Sequence, residues 1–137
     1  MAFTGNFTTN TFKEGLLNGD FDFATDTLKI ALYTNSATLD ASTAAYTTAG
    51  EVVASGYTAG GETLTVTQDI SSGTAYVSFS TVSWSGAFTA RGALIYKSGG
   101  SNPAICVLDF GSDKTSATTF TVTFPTASST DALIRLS

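Results

Sequence analysis

Polar and apolar positions first fall into a readable order at Thr11-Phe12-Lys13-Glu14, which has the form of a capping box. The Thr11 hydroxyl is placed to accept from the Glu14 amide while the Glu14 carboxylate reaches back. Phe12 and Leu16 then share one face at i, i+4, Leu17 adjoins them, and Asn18-Gly19 supplies the stop. The pattern predicts one short N-terminal helix of about two turns, which holds only by docking on something. From Asp20 the helical period gives way to alternation. Leu28, Ile30 and Leu32 alternate with Thr27, Lys29, Ala31 and Tyr33, predicting a strand with one buried face. Thr34 to Gly61 has no period and reads as a long excursion, with room for a short strand near Tyr46 or at Val52-Val53. Loops of that length carry a binding role or wrap a neighbour.

After Gly60-Gly61 the alternation returns at the spacing of a sandwich. Thr63 to Ile70 sets Leu64, Val66, Gln68 and Ile70 on one face. Ser71-Ser72-Gly73 turns the chain, and Ala75, Val77 and Phe79 come back as inward residues of a hairpin. Val82 and Trp84 extend the alternation until Ser85-Gly86 breaks it. Arg91 to Tyr96 and Ala104 to Phe110 are apolar on both faces, which predicts a central hairpin covered on both sides, Ile105 and Val107 pointing one way and Cys106, Leu108 and Phe110 the other. Phe120, Val122 and Phe124 form a further strand closed by Pro125. In the last strand Ala132, Ile134 and Leu136 face inward. With roughly six to eight strands, no βαβ alternation and no boundary in composition, the prediction is all-β: a single antiparallel β-sandwich of jelly-roll or Greek-key kind over residues 1–137, with an N-terminal arm over 1–9.

Composition sharpens this. Ser and Thr supply 41 of the 137 residues, and charged residues only 12%, so the chain leans towards pleated surface and away from helix. Ten Phe, five Tyr and one Trp are too much aromatic mass for a solvated coil. The absence of His excludes His-based triads, proton shuttles and His metal sites. One Cys excludes an internal disulfide, a CxxC redox motif and Cys-type zinc sites. A net charge of −5, with six scattered Lys and Arg, argues against nucleic acid as a partner. No apolar run approaches the roughly 20 residues of a membrane span, and no basic-then-apolar leader is seen. The expectation is a protein made in a reducing cytoplasm, with no membrane partner.

The residues that carry chemistry have plainer readings beside them. Asp20, Asp22 and Asp26 could collect a hard cation, but they lack the glycine and terminal Glu of an EF-hand loop, and Asp also fixes turns. Asp109-Phe110-Gly111 spells the kinase metal-binding triplet without the His-Arg-Asp that accompanies it. No pair of carboxylates stands out for glycosidase work. Asn6-Phe7-Thr8 matches a glycosylation sequon that matters only in an exported chain. Cys106, on an apolar strand, reads as a small buried hydrophobe. No catalytic residue, cofactor or metal is expected. The candidate contact residues are aromatic: Phe3 and Phe7 on the arm, Tyr46 and Tyr57 in the long excursion, and Phe88 at the loop after Trp84. An arm without structure of its own, if removed over residues 2–8, should leave a folded protein that attaches less well to its partner.

The segment Asn10-Thr11-Phe12-Lys13-Glu14-Gly15-Leu16-Leu17-Asn18-Gly19, followed by Phe23-Ala24-Thr25-Asp26-Thr27-Leu28-Lys29-Ile30-Ala31-Leu32-Tyr33-Thr34, resembles small structural proteins of tailed bacteriophages. The resemblance continues through Gly56 to Gly61, Phe88 to Tyr96 and Val107 to Asp113. Within that group it is similar to the capsid cement or decoration proteins of podovirus-like phages. The resemblance implies a jelly-roll fold, a place on the capsid exterior of the virion, and a homo-oligomer, dimer or trimer, bridging subunits of the major capsid protein. It brings no catalytic residues. A tail, collar or fibre-associated virion component is the neighbouring reading, and a host-glycan-binding module with aromatic rings exposed on one face is the reading from another class.

Overall fold

Alternating segments need partners for their backbone groups, and here they pair antiparallel throughout. The computed structural model describes residues 3–137. Along the chain run β1 (Phe7–Thr8), α1 (Asn10–Asn18), β2 (Leu28–Tyr33), β3 (Glu62–Thr63), β4 (Val66–Ser71), β5 (Thr74–Phe79), β6 (Val82–Ser85), β7 (Thr89–Lys97), β8 (Ala104–Thr115), β9 (Thr119–Val122) and β10 (Ile134–Leu136). A five-stranded sheet has the order β1-β8-β7-β2-β3, a three-stranded sheet the order β10-β5-β4, and β6 pairs with β9. The protein is an all-β sandwich with one short helix.

The central sheet is buried on both faces, and the alternation along β2 and β7 sorts residues between two cores. Leu28, Ile30, Leu32, Ala93 and Ile95 enter one core, closed from the other side by Val77, Phe79, Trp84, Phe120 and Val122 of the smaller sheets. Ala31, Tyr33, Leu94 and Tyr96 enter a second core, closed by Phe3, Ala37 and Leu39. β2 is therefore covered on both sides, unlike the one-faced strand its alternation predicts, because the Thr34–Gly61 excursion lies over its second face. Each large aliphatic side chain so buried contributes roughly 1.5–3 kcal/mol before ordering costs.

The β7–β8 hairpin is central, as its two apolar faces predict. In β8 Ile95 faces Cys106 but Tyr96 faces Ala104, so Ile105 is an extra residue. This bulge resets the alternation: Ile105 and Cys106 both reach the first core and Val107 faces the second. Beyond the hairpin, the β6–β9 ladder prolongs the β7–β8 ladder past Gly86, whose N–H donates to Thr118 O at 2.8 Å. One ribbon thus folds from the central sheet into the covering layer, a nesting of the kind that builds jelly rolls.

Three further features depart from their predicted places. The helix N-cap is Thr9, not Thr11: its hydroxyl accepts from Phe12 N at 3.1 Å and donates to Ala104 O at 2.8 Å, so the cap also ties the helix to β8. At the other end Gly19 takes the left-handed conformation (φ 78°), as Asn18-Gly19 predicts. Phe12 then sits between Phe21 and Phe23, with ring centres at 5.1 and 5.8 Å, while Leu17 faces outward. The predicted strand from Thr63 to Ile70 is two strands. Glu62–Thr63 pairs with β2, Leu64 is buried, and the chain crosses to pair β4 with β5. The β4–β5 turn is the predicted tight one, with positive φ at Ser72 and Gly73. Finally, Ile70 and Leu136, predicted inward, are 66% and 61% exposed. They share a cross-strand row with Ala75 at the tip of the sheet, past the end of the covered core.

Candidate interaction surface

The structure withdraws three of the five candidate contact residues from the surface. Phe3 is 1% exposed and fills the second core. It lies over Gly92, where a β-carbon would stand 2.5 Å from its ring; the glycine makes the space that the ring occupies. Phe7 lies in β1, opposite Val107, and packs partly buried against the same core. Asn6, beside it, accepts from Asp109 N at 2.6 Å. Residues 3–8 are thus core and strand rather than a free arm; Met1 and Ala2 of the predicted arm lie outside the described residues. Tyr57 and Phe88 are buried in an aromatic cluster, 5.8 Å apart, with Phe88 stacked on Phe120 at 5.2 Å. Trp84 is buried beside them, and its Nε1 is the one buried side-chain polar atom without a partner among the described residues. Tyr46 keeps some exposure and stacks on Tyr96 at 4.8 Å.

The long excursion is anchored by Glu51, a residue that no sequence motif singles out. Glu51 is 6% exposed. Its Oε1 accepts from the Tyr46 hydroxyl at 2.7 Å; its Oε2 accepts from the Tyr57 hydroxyl at 2.6 Å and from Gly60 N at 2.8 Å. Tyr57 Oη in turn accepts from Leu32 N at 2.9 Å, and Tyr96 Oη donates to Gly60 O at 2.7 Å. Among the described residues the carboxylate makes no ion pair and is held by these donors, which is how a buried charge is kept. The one signal in the sequence is that Glu51 is the only charged residue from Ala41 to Gly61, set between Tyr46 and Tyr57.

This network gives a pH expectation. Burial, first of all, pushes Tyr33, Tyr46 and Tyr57 well above the ordinary tyrosine range, and the bond to Glu51 adds to it at Tyr46 and Tyr57. Burial, followed by the Glu51 charge, pushes Tyr96 up to about 12. Folding therefore favours the neutral phenols. The contribution of Tyr96 should be complete below pH 10 and lost as pH rises through about 12, and that of the other three should persist to still higher pH. A pH series of melting curves, read beside tyrosinate absorbance, should show these four rings ionising together with unfolding. Ionisation near their ordinary value in an intact fold would contradict this.

The remaining polar motifs serve turns and strands. Asp26 accepts from Asp22 N at 2.7 Å and pairs with Lys97 at 3.4 Å. Asp22 accepts from Ala24 N, chiefly by which its carboxyl is held below the usual range. Among the described residues, no three His, Cys, Asp or Glu stand together as a metal set. Asp109 accepts from Arg91 Nε at 3.0 Å and from Gly111 N at 2.8 Å, the Arg91 bond leading in lowering its pKa. Cys106 is buried, which pushes its thiol up to about 12.

Of the exposed large apolar side chains among the described residues, Ile70 and Leu136 line one groove, while Leu17 and Val53 stand outside it. The groove, of about 670 Å³, has Phe12, Leu16, Phe21 and Phe23 on one wall and Ile70, Ala75, Val77, Ile134 and Leu136 on the other. Its charged lining is Asp22 and Asp69. No helix of the described residues is long and apolar enough to cross a membrane. No protein-family model matches the chain, nor does any curated protein or solved structure, so the functional reading rests on its own residues.

Proposed function

We propose that this chain is a structural virion protein that binds the outside of a phage capsid and stabilises it, as a dimer or trimer, by bridging major capsid protein subunits. The observation that carries the reading is a division of labour among side chains. Buried polar groups are committed to the fold: Glu51 to the excursion, Thr9 to the helix start, Ser78 to Pro125 O at 2.6 Å and Ser116 to Gly86 O at 2.7 Å. What the surface offers includes an apolar groove between α1 and the β10-β5-β4 sheet. That suits adhesion, in keeping with the resemblance of the sequence to capsid cement proteins. A protein that binds the expanded lattice alone stabilises that lattice by mass action. Quantified protein bands from purified particles test the reading. It expects on the order of hundreds of copies per particle, as symmetric coverage of a shell requires; a dozen or fewer would move the protein to the tail, collar or fibre.

A further inference from the structure

We propose that Asn18-Gly19 is a self-modification site. The Asn18 side-chain amide is lost by attack of the Gly19 backbone nitrogen, at a rate set by opening of the last turn of α1, and the product cannot close that turn again. This chemistry is independent of the virion reading.

The residue pair supplies the reaction. Of the five asparagines, Asn18 alone precedes a glycine; the others precede Phe7, Thr11, Ser36 and Pro103. A glycine nitrogen, on a residue with no β-carbon, is the least hindered backbone nucleophile that can turn onto the side chain before it. Gly19 N gives up its proton to water or hydroxide and attacks Asn18 Cγ. The bond from Cγ to the side-chain nitrogen breaks, and ammonia leaves. The five-membered imide so formed takes up one water. Opening at one carbonyl gives aspartate at position 18. Opening at the other gives isoaspartate, in which the chain runs through the β-carboxyl and is longer by one carbon. Water is the one co-reactant, and nothing is oxidised or reduced.

The fold exposes this pair and also holds it. Asn18 and Gly19 are exposed, and a β-carbon at Gly19 would meet nothing within 4 Å, so water reaches the site. The attacking nitrogen, however, is engaged. Gly19 N–H donates to Gly15 O, and Asp20 N donates to the same oxygen at 2.8 Å. Asn18 ends the helix, and Gly19 turns out of it at φ 78°. Attack needs a freed nitrogen that swings onto Cγ, so the turn must open first. Three contacts oppose that opening. Phe21 lies against Gly15, where a β-carbon would stand 2.4 Å from its ring, and packs edge-on to Phe12 at 5.1 Å. From β7, Lys97 Nζ donates to Asp20 O at 2.7 Å.

The product undoes the same turn. The extra backbone carbon of isoaspartate draws Gly19 and Asp20 away from Gly15 O. Either product places a new carboxylate at the C-terminal end of α1, where the helix dipole is negative. Loss of ammonia makes the change one-way. It loosens the link from α1 to β2, while the β7–β8 ladder lies outside it.

The test incubates the full chain at mildly alkaline pH, folded and in concentrated guanidinium chloride. The tryptic peptide 14–29, in which Asn18 is the single asparagine, is followed by the mass gained when the amide becomes an acid. Labelling by an isoaspartyl methyltransferase gives the isoaspartate share. Conversion in denaturant should be at least about tenfold faster than in the folded chain. Lys97→Ala removes a restraint on the turn and leaves the reacting pair intact. It should quicken folded conversion about threefold or more, with the rate in denaturant unchanged. Phe21→Leu should act in the same way, and takes its place if circular dichroism shows Lys97→Ala unfolded. Asn18→Gln should stay unconverted over the same period. In the aged folded chain, the Gly19 and Asp20 amides should exchange hydrogen faster than in the fresh one, with β7 and β8 unchanged. Equal rates in folded and denatured chain, or no conversion in denaturant, would overturn the proposal. So would restraint variants that leave the folded rate unchanged, or an aged chain whose Gly19 and Asp20 amides exchange as slowly as before.

Discussion

Phe3→Ala is expected to lower folding stability by about 3–5 kcal/mol, the range for removing a fully buried Phe ring. Three observations put it there. The ring is 1% exposed and belongs to the core on the outer face of β2, β7 and β8. Gly92 leaves the hollow that the ring fills, and the backbone O of Leu108 lies equally close to where a Gly92 side chain would begin, so β7 and β8 cannot close the gap by moving inward. The pairing of β1 with Val107 and Cys106 of β8, a few residues further along, also holds the ring in place. A domain of this kind has about 5–15 kcal/mol in total, so the loss is a large share. Freeing a terminal segment returns some chain entropy, roughly 1–2 kcal/mol for each backbone residue released, which places the net effect at the lower end. Urea unfolding should show a lower midpoint with little change in slope. An unchanged midpoint would mean that the first described residues are not anchored. Phe3 consequently has no ring surface to give a capsid, and any weakened attachment of the variant should track its loss of folding.

Glu51→Ala is expected to cost about 3 kcal/mol, because it strands two tyrosine hydroxyls and the Gly60 amide at once. Tyr46 can recover water, being partly exposed; Tyr57 and Gly60 N are buried and cannot. Glu51→Gln should cost less. Its carbonyl can still accept from Tyr57 and Gly60, and its amide can donate to a rotated Tyr46 hydroxyl. The damage should be local before it is global. Thr34 N, just past β2, donates to Gly50 O at 2.8 Å and Val52 N donates to Leu32 O at 3.0 Å, so the residues on either side of Glu51 hold the excursion along β2. Hydrogen exchange should therefore quicken first at Thr34, Val52 and Gly60, with β7 and β8 still protected. Uniform quickening across the sandwich, or equal costs for Ala and Gln, would contradict the role assigned to Glu51.

The sequence was legible where structure is local. The Ser72-Gly73 turn, the helix stop at Gly19 and the twin apolar faces of the β7–β8 hairpin depend on neighbours in the chain. What escaped depends on partners far away. Thr9 outcompetes Thr11 as the cap because its hydroxyl also reaches Ala104 O in β8. Alternation through β8 is displaced by the bulge at Ile105, which no pattern of apolar residues encodes. Ile70 and Leu136 alternate like core residues, yet their row extends past the body that would cover them. Of the candidate contact residues, aromatic character alone could not separate Phe3, Tyr57 and Phe88, which fill cores, from Phe7 and Tyr46, which keep a partly open face. The groove was illegible for the same reason: its walls come from α1 and from strands some fifty residues and more further along the chain.

The most direct test of the capsid reading is co-sedimentation of the purified chain with expanded phage heads that lack it, and with unexpanded heads. The reading expects saturable retention on expanded heads, in fixed ratio to the major capsid protein, and a higher melting temperature of the coated shell. Absence of retention on expanded heads, with the chain folded and in excess, would contradict it.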